Sequence, residues 1–452
     1  MSIPINEASK DATKSTRFRA VAIISALLLA GMIFGSALWI IAAVTALLLT
    51  TINAWLTKTW SLAVKAIREE GDLELKIGSR IDNCVVVENA SKIPIAWVLI
   101  EDLIPRAAQQ FQSPALEIIG KRVQVIRLWG GETQQLKYEI RCNRRGYFQI
   151  GPTILETGDL MGFYRRYRTG ASPRFLTVLP KIVPLIRYEI GSRRPIGEIR
   201  MRENVMNDPT RLRGIRQWQS GDPMRSVHWS ATARTGTLHS KIYEPSSIIG
   251  ATLVVDLHCE SNPRSQEPIR TDLAITAAAS ITNALHEANE PVGLATNGRD
   301  AADRIREQGW SGDHRVRSNA TAAGAMQTTS DRLRPVLLKP NRGAIHFAEV
   351  MRTLARLERT DGLTLKELLV ECESELSTET TLLIILQQCD EATIAAIIGL
   401  ARRGREVAVI INTYDINDYS AIAGPLLAER ITTLHLGDED RIRDVCRKML
   451  VR

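Results

Sequence analysis

Between Ala20 and Leu56 the chain carries no charged residue, reading AVAIISALLLAGMIFGSALWIIAAVTALLLTTINAWL. One bilayer span takes about 20 apolar residues, so this run approaches two spans. Two glycines and a serine interrupt it at Gly31-Met32-Ile33-Phe34-Gly35-Ser36, which predicts a turn and a two-helix membrane hairpin over residues 20–56. A cleaved signal peptide fits poorly, because its apolar core runs to only about 7–15 residues. A single long tilted helix is the weaker competitor. Gly31 and Gly35 also have the spacing of small residues at packed membrane helices, although beside a turn they are explained by the turn itself.

After a tail over residues 1–19 and the hairpin, residues 57–72 read as a connecting helix leaving the membrane. From Leu73 the period changes to two. The stretches LELKIGSRIDNCVVVENASKIPIAWVLIEDLIP, KRVQVIRLWGGETQQLKYEIRC and RGYFQIGPTILETGD hold short Val/Ile/Leu runs separated by Gly, Asn and Pro. They predict a small all-β sandwich over residues 73–190. From about residue 250 the runs lengthen: GATLVVDLH, PVGLATNG, TTLLIILQ, EVAVIIN and ITTLHLG alternate with helical segments such as TDLAITAAASITNALHEAN and Ala392–Arg403, closing with DRIRDVCRKMLV. Near-continuous apolar strands between amphipathic helices predict a mostly parallel α/β sheet covered on both faces, here over residues 250–452. The polar stretch 299–342, containing SNATAAGAMQTTSD, shows neither period and reads as a loop or insertion at the rim of that sheet.

Charge changes the picture in two ways. Lys10, Lys14, Arg17 and Arg19 precede the apolar run, Lys58, Lys65 and Arg68 follow it, and the turn carries none. Both ends, and the soluble domains, are therefore expected on the cytoplasmic side of the inner membrane. The whole chain of 452 residues has a formal net charge of +8, which suits nucleic acid or anionic lipid equally. Its six cysteines are scattered, with no Cys-x-x-Cys, and read as free thiols in a reducing compartment.

Candidate chemistry centres on Asp256, at the carboxyl end of ATLVVD, where ligands of open α/β sheets bind. A metal-ion adhesion site of the von Willebrand A type has Asp-x-Ser-x-Ser there, supplying a carboxylate and two hydroxyls to a hard cation such as magnesium. Here the run is Asp256-Leu257-His258-Cys259-Glu260. Both serines are missing, leaving a degenerate site at Asp256 with Glu260 as a further oxygen donor. A zinc reading of His258, Cys259 and Glu260 suffers because adjacent residues of an extended chain point opposite ways. The bland reading makes Asp256 a cap for the following loop. No Gly-x-Ser-x-Gly elbow and no Walker-type phosphate loop occur, so hydrolysis through Ser226, His228 and Ser230 and an intrinsic NTPase activity both lack support.

The segment GIRQWQSGDPMRSVHWSATARTG, 214–236, mixes rings and cations. Arg211, Arg213, Arg216, Arg225, Arg234 and Lys241 with Trp218, Trp229 and Tyr243 have the chemistry of a nucleic-acid grip, yet no nucleic-acid motif accompanies them and no nucleic acid is expected as partner. Helix logic offers a structural alternative. Asp222 as N-cap and Pro223 at the first helical position predict a helix from Pro223 to about Arg234. Met224, Val227, His228 and Ala231 would form its packed stripe, Arg225 would stack on Trp229, and Gly236 would end it.

These residues also carry a resemblance. Gly214–Glu244 is similar to the signature of the bacterial family known as domain of unknown function 58, with Arg216, Gly221, Asp222, Trp229, Ala233 and Arg234 on its pattern and Trp218 where tyrosine is common. Upstream, RRGYFQIGPTILETGDLMGFYRR resembles a second family segment through Arg144, Arg145, Gly146, Gly151, Pro152, Asp159, Gly162 and Phe163, with Leu160 replacing the usual proline. The resemblance implies a membrane-anchored protein with a β domain and a von Willebrand A-like α/β domain. It further implies work beside a MoxR-type AAA+ ATPase as a membrane-tethered partner or adaptor, and the leading reading is a non-enzymatic interaction protein whose binding surface is the carboxyl rim of the α/β sheet, near Asp256 and the long loop. A metal-dependent hydrolase at Asp256, His258 and Glu260 and a membrane-surface nucleic-acid binder are the alternatives.

Overall fold

The computed structural model describes Ala22, Ser25, Ala26, Leu28, Leu29 and residues 31–35, 37–69, 71–109, 113–159, 164–185, 207–219, 224–245, 250–308, 333–376 and 380–444. They form two compact units. One comprises the chain up to Lys181 with 298–333 and 351–362; the other comprises Ile182–Asn297, Arg334–Val350 and the chain from Leu363.

The first unit begins with helix α1, Ala37–Ala63, long and apolar enough to cross a membrane. The described residues before it are helical up to Phe34, and Gly35 turns the chain at φ 53°. Gly31 lies so close to α1 that an added Cβ would come within 2.8 Å of the Ile40 side chain. Most of α1 exposes its apolar side chains, but at its foot Thr57, Trp60 and Ala63 are buried. The helix expected over residues 57–72 stops there, because Val64–Arg68 alternates inward and outward and pairs as strand β1.

Ten further strands follow: β2 (Leu73–Lys76), β3 (Arg80–Asn89), β4 (Ile95–Asp102), β5 (Leu116–Gly120), β6 (Val123–Leu128), β7 (Thr133–Cys142), β8 (Gly146–Ile150), β9 (Thr153–Gly158), β10 (Arg165–Thr169) and β11 (Arg174–Leu179). They make two four-stranded sheets, β1-β3-β7-β5 and β10-β9-β4-β6, and a three-stranded sheet, β2-β11-β8. The inward positions of both large sheets, such as Val85, Val87, Val98, Ile100, Leu136 and Ile140, share one core with Trp60 and Ala63. Alternating side chains packed between two faces are the sandwich arrangement. One polar knot crosses this core. Arg68 of β1 ion-pairs with Asp102 of β4; Asn83 and the Tyr138 hydroxyl donate to the same carboxylate at 3.0 and 2.6 Å. Arg68 also donates to the Ile150 carbonyl at 2.7 Å and to Thr153 at 2.9 Å.

Next, β12 (Asn207–Gln217) and β13 (His239–Pro245) form an antiparallel pair flanking helix α2, Trp229–Thr235. From residue 250 the order is β14 (Ala251–Val255), α3 (Ile269–Glu287), β15 (Val292–Thr296), β16 (Arg299–Asp300), α4 (Ala301–Gln308), β17 (Val336–Asn341), α5 (Ala344–Arg356), β18 (Leu357–Glu358), α6 (Leu365–Glu371), β19 (Thr381–Leu386), α7 (Glu391–Arg402), β20 (Val407–Ile411), α8 (Ile416–Ala428) and β21 (Thr432–His435). The second unit holds a six-stranded sheet of order β17-β15-β14-β19-β20-β21, parallel except for β17. Its central strands are buried at every position, as the apolar runs predict.

The stretch 299–342 is not a plain loop: it contains β16, α4 and β17, while residues 309–332 lie outside the described ones. β17 is an antiparallel edge strand, so it tolerates Lys339 and Pro340 and lacks the continuous apolar signature of its neighbours. β16 and β18 pair within the first unit. The described part of the expected last helix is a short turn, Asp440–Asp444.

Candidate functional site

The order of the six-stranded sheet reverses direction between β14 and β19, the place where ligands of open α/β sheets bind, beyond the carboxyl ends of the strands. Asp256 follows β14 there and is buried. Its backbone N–H donates to the Ile385 carbonyl of β19 at 3.0 Å. Its carboxylate is held by the chain itself. Oδ1 accepts from the His258 backbone at 3.1 Å and from Asn297 Nδ2 at 2.7 Å, and Oδ2 accepts from the Ser261 hydroxyl at 2.5 Å.

Asn297, the residue directly after β15, does more than face Asp256. Its Oδ1 accepts from the Leu257 backbone at 2.8 Å and its Nδ2 also donates to the Leu363 carbonyl at 2.9 Å. Asn262 Nδ2 closes the loop on the His258 carbonyl at 2.8 Å, and the Gln388 backbone donates to the Ser261 carbonyl at 3.2 Å. The segment 257–262 is thereby tied to the ends of β14, β15 and β19. Burial pushes the Asp256 carboxyl above the ordinary carboxylate range, against the opposing pull of Ser261, Asn297 and His258. The neighbouring Cys389 thiol is pushed up to about 12, first by burial and then by the charges of Asp256 and Asp390, so it stays protonated and unreactive at neutral pH.

The other residues of the candidate metal site diverge. The His258 ring is buried and its Nδ1 accepts from the Glu260 backbone at 3.3 Å, while the Glu260 side chain is exposed. Among the described residues, no three His, Cys, Asp or Glu side chains are grouped so as to hold a metal. A cation at Asp256 would have to displace the Ser261 hydroxyl or an N–H donor from an already furnished carboxylate. The arrangement is that of a loop clasp.

Ser261 and Asn297 were hidden from the sequence pattern. Ser261 is five positions after Asp256 rather than two or four, and Asn297 comes from the next strand. The legible part of the signal was a lone Asn ending the apolar run VGLAT. A second buried polar group on this edge was also missed. Arg270, in the first turn of α3, is fully buried and donates to Asn412 Oδ1 at 3.0 Å and the Leu436 carbonyl at 3.1 Å, with the Tyr414 ring stacked over its guanidinium at 3.2 Å. Burial lowers its pKa from the usual arginine value.

The signature segment is built differently from its expected helix. Gly221, Asp222 and Pro223 lie outside the described residues, as does the side chain of Arg225. Helix α2 begins only at Trp229, and His228 caps it, Nδ1 accepting from the Ala231 backbone at 3.0 Å. Met224–Ser226 forms a single 3-10 turn, and Val227 then pairs in an isolated bridge to Ser240, which separates that turn from α2. Of the expected stripe Val227 is buried and Met224 is exposed, and Trp229 stands 64% exposed at the first helical position rather than packed. Gly236 does end the helix, at φ 71°. Ser226 bonds Ser240 at 2.9 Å, while His228 Nδ1 is taken up by the helix cap. Arg216 lies on β12 opposite Ser240, and Arg234 is exposed in the last turn of α2.

The upstream motif has definite structural work. Asp159 is buried, its backbone N–H donates to the Tyr164 carbonyl at 3.0 Å and its Oδ1 accepts from the Tyr164 backbone at 2.8 Å, while Gly162 lies outside the described residues. Arg145 Nη1 donates to the carbonyls of Leu354, Ala355 and Leu357, at 3.2, 3.4 and 2.9 Å. Gly151, at φ 88°, lets Arg68 approach to where an added Cβ would be 2.7 Å from Nη1.

A two-unit protein with an apolar N-terminal helix, a β-sandwich and a mostly parallel α/β sheet is the class defined so far. Residues 214–329 match the family described as "Protein of unknown function DUF58", in agreement with the resemblance seen at Gly214–Glu244. The chain is also similar to the uncharacterized protein YeaD of Bacillus subtilis (strain 168), 21% identical over 237 residues. That match covers 52% of this chain and 56% of YeaD, about half of each protein. Among solved structures, the PapD-like domain 7 of human CEP192 covers 26% of this chain and 85% of its own, at 11% identity and a TM-score of 0.18. The CARDB domain of PF1109 from Pyrococcus furiosus covers 26% and 87%, at 10% identity and a TM-score of 0.18. Likenesses at this level define neither the fold nor the function of this chain.

Proposed function

We propose that this chain is a membrane-anchored, non-enzymatic interaction protein. In this reading residues 20–56 form a two-span hairpin with both ends in the cytoplasm, and the α/β unit is a degenerate von Willebrand A-like domain that presents the carboxyl rim of its sheet to a MoxR-type AAA+ ATPase. The observation that carries the reading is the two-sided character of α1. Its body exposes Leu38, Ile41, Val44 and Leu48, surface that water disfavours and a bilayer accepts, while its foot belongs to the core of the sandwich. An anchor so mounted ties the sandwich to the membrane surface. At the rim, an Asp256 already satisfied by Ser261 and Asn297 supports a recognition surface over a reactive centre.

The test is a cross-linked pull-down of the tagged full chain from native membranes. The expected result is retention in carbonate-washed membranes and enrichment of an AAA+ ATPase, lost on replacing exposed rim residues such as Glu260. A chain released by carbonate would overturn the anchor, and a firmly anchored chain that never enriches an ATPase would overturn the adaptor role.

A further inference from the structure

We propose that the groove between strands β1 and β10, at the foot of α1, is a binding site for the phosphate of an anionic phospholipid headgroup. The inference rests on the membrane anchoring proposed above. β1 and β10 are the outer strands of the two four-stranded sheets, and both run beside the point where α1 ends. The groove, about 220 Å³, is lined by Val64, Lys65, Ala66 and Ile67 of β1 and by Arg168 and Gly170 across from them.

Two features make it a phosphate site at a membrane surface. The first is where its arginine is fixed. Arg168 Nη1 donates to the Leu62 carbonyl at 3.0 Å and to the Ser61 and Val64 carbonyls at 3.5 Å, so it closes the last turn of α1, where a cation also complements the helix dipole. Nε and Nη2 keep no hydrogen bond among the described residues, leaving one edge of the guanidinium for an oxyanion, which its planar fork fits. The second feature is depth. Lys58 is the first charge after the apolar run, and Ser61 to Val64 lie about 5–9 Å further along the helix axis. The headgroup layer is about 5–8 Å thick on each side of the hydrocarbon, so Arg168 is held at phosphate level.

The surroundings agree. Lys58, Lys65 and Arg166 are exposed, and Ile67 is 61% exposed beside them, an apolar side chain suited to the upper acyl region. Of the acidic groups nearby, Glu156 pairs with Arg165 at 3.3 Å, Glu88 stands opposite Lys65 in the strand register, and Glu69 is exposed just after β1. A peptide adding to the β1 edge would need the same space, but it would find that edge facing the lipid headgroups.

The experiment is native mass spectrometry of the full chain in detergent, with phosphatidylglycerol or phosphatidylcholine added at equal mole fraction. Wild type should retain phosphatidylglycerol well above phosphatidylcholine. Lys65→Gln with Arg166→Gln, exposed side chains that make none of the helix-cap hydrogen bonds, should lower that retention roughly 25-fold, at about five-fold per removed cation; Arg168→Gln should abolish the preference. Should Arg168→Gln fail to fold, the double variant decides, its folding checked by an unchanged melting temperature. Equal retention of the two lipids, or a folded double variant that keeps its phosphatidylglycerol, overturns the site. A chain that leaves membranes on carbonate washing instead overturns the anchor on which it depends.

Discussion

The guanidinium of Arg68 lies on the carboxylate of Asp102 with both side chains sealed from water, 4% and 0% exposed. Arg68 comes five residues after the end of α1, so this pair fastens the apolar helix to the far sheet of the sandwich. Asn83, Tyr138 and Thr153 complete the carboxylate's shell, and the Tyr138 phenol is driven far above its usual pKa by burial and by the Asp102 charge. Removing one member of a buried pair strands the other charge, at a cost of about 3–5 kcal/mol. Asp102→Ala should therefore lose that much stability in chemical denaturation of the full chain in detergent. Arg68→Met with Asp102→Leu should lose clearly less, because neither charge is left behind; equal losses would show that the knot acts through packing alone.

Gly151 is the neighbour that makes room for this pair. Its φ of 88° is left-handed, and a Cβ there would stand 2.7 Å from Arg68 Nη1 and 3.3 Å from the Pro173 backbone. Left-handed backbone costs a non-glycine residue about 1–2 kcal/mol, and the crowding adds to it. Gly151→Ala is expected to destabilise by more than 2 kcal/mol, roughly the conformational figure plus the displaced Arg68. If the strain works through Arg68, the loss shrinks sharply in an Arg68→Met background, which a double-mutant cycle reads directly.

Arg145 serves as a cap for a helix more than 200 positions away. Its bonds to the Leu354, Ala355 and Leu357 carbonyls satisfy the C-terminal groups that α5 leaves open. Hydrogen bonds to charged groups contribute about 1.5–3 kcal/mol, so Arg145→Gln should cost about that much. Limited proteolysis should then cut first near residues 356–362, ahead of global unfolding. Unchanged cleavage there would mean the end of α5 is held by other contacts.

Legibility in the sequence followed the range of the interaction. The apolar helix, the alternating strands of the sandwich and the buried central strands from Ala251 to His435 each write a local period, and they were readable at once. The family segment was readable for the same reason, as spacing along one stretch. Its α-helix starts later than Asp222-Pro223 suggests, because a bridge between Val227 and Ser240 separates the 3-10 turn Met224–Ser226 from it, and His228 caps it. At the candidate site Asp256 was legible from the strand it ends. Ser261 and Asn297 were not, since one has unfamiliar spacing and the other arrives through sheet order. Arg68 read as an orienting surface charge for the same reason: its partner is 34 positions away on another sheet.

Asp256 gives a pH signature with a definite sign. An unfolded aspartate titrates near about 3.9, and burial raises the folded value. Between those two values the folded chain binds more protons than the unfolded one, so this residue makes stability fall as pH rises through the window and leaves it flat above. Asp256→Asn removes the titration while preserving the clasp: its Oδ1 can accept from His258 and Asn297, and its Nδ2 can donate to the Ser261 oxygen. The stability of wild type minus that of Asp256→Asn, measured by denaturation at matched pH from 4 to 8, should decline with rising pH and then level off. A difference that rises with pH would mean that the charged carboxylate is the favoured form in the fold, the behaviour of a site built to meet a cation rather than of a buried loop clasp.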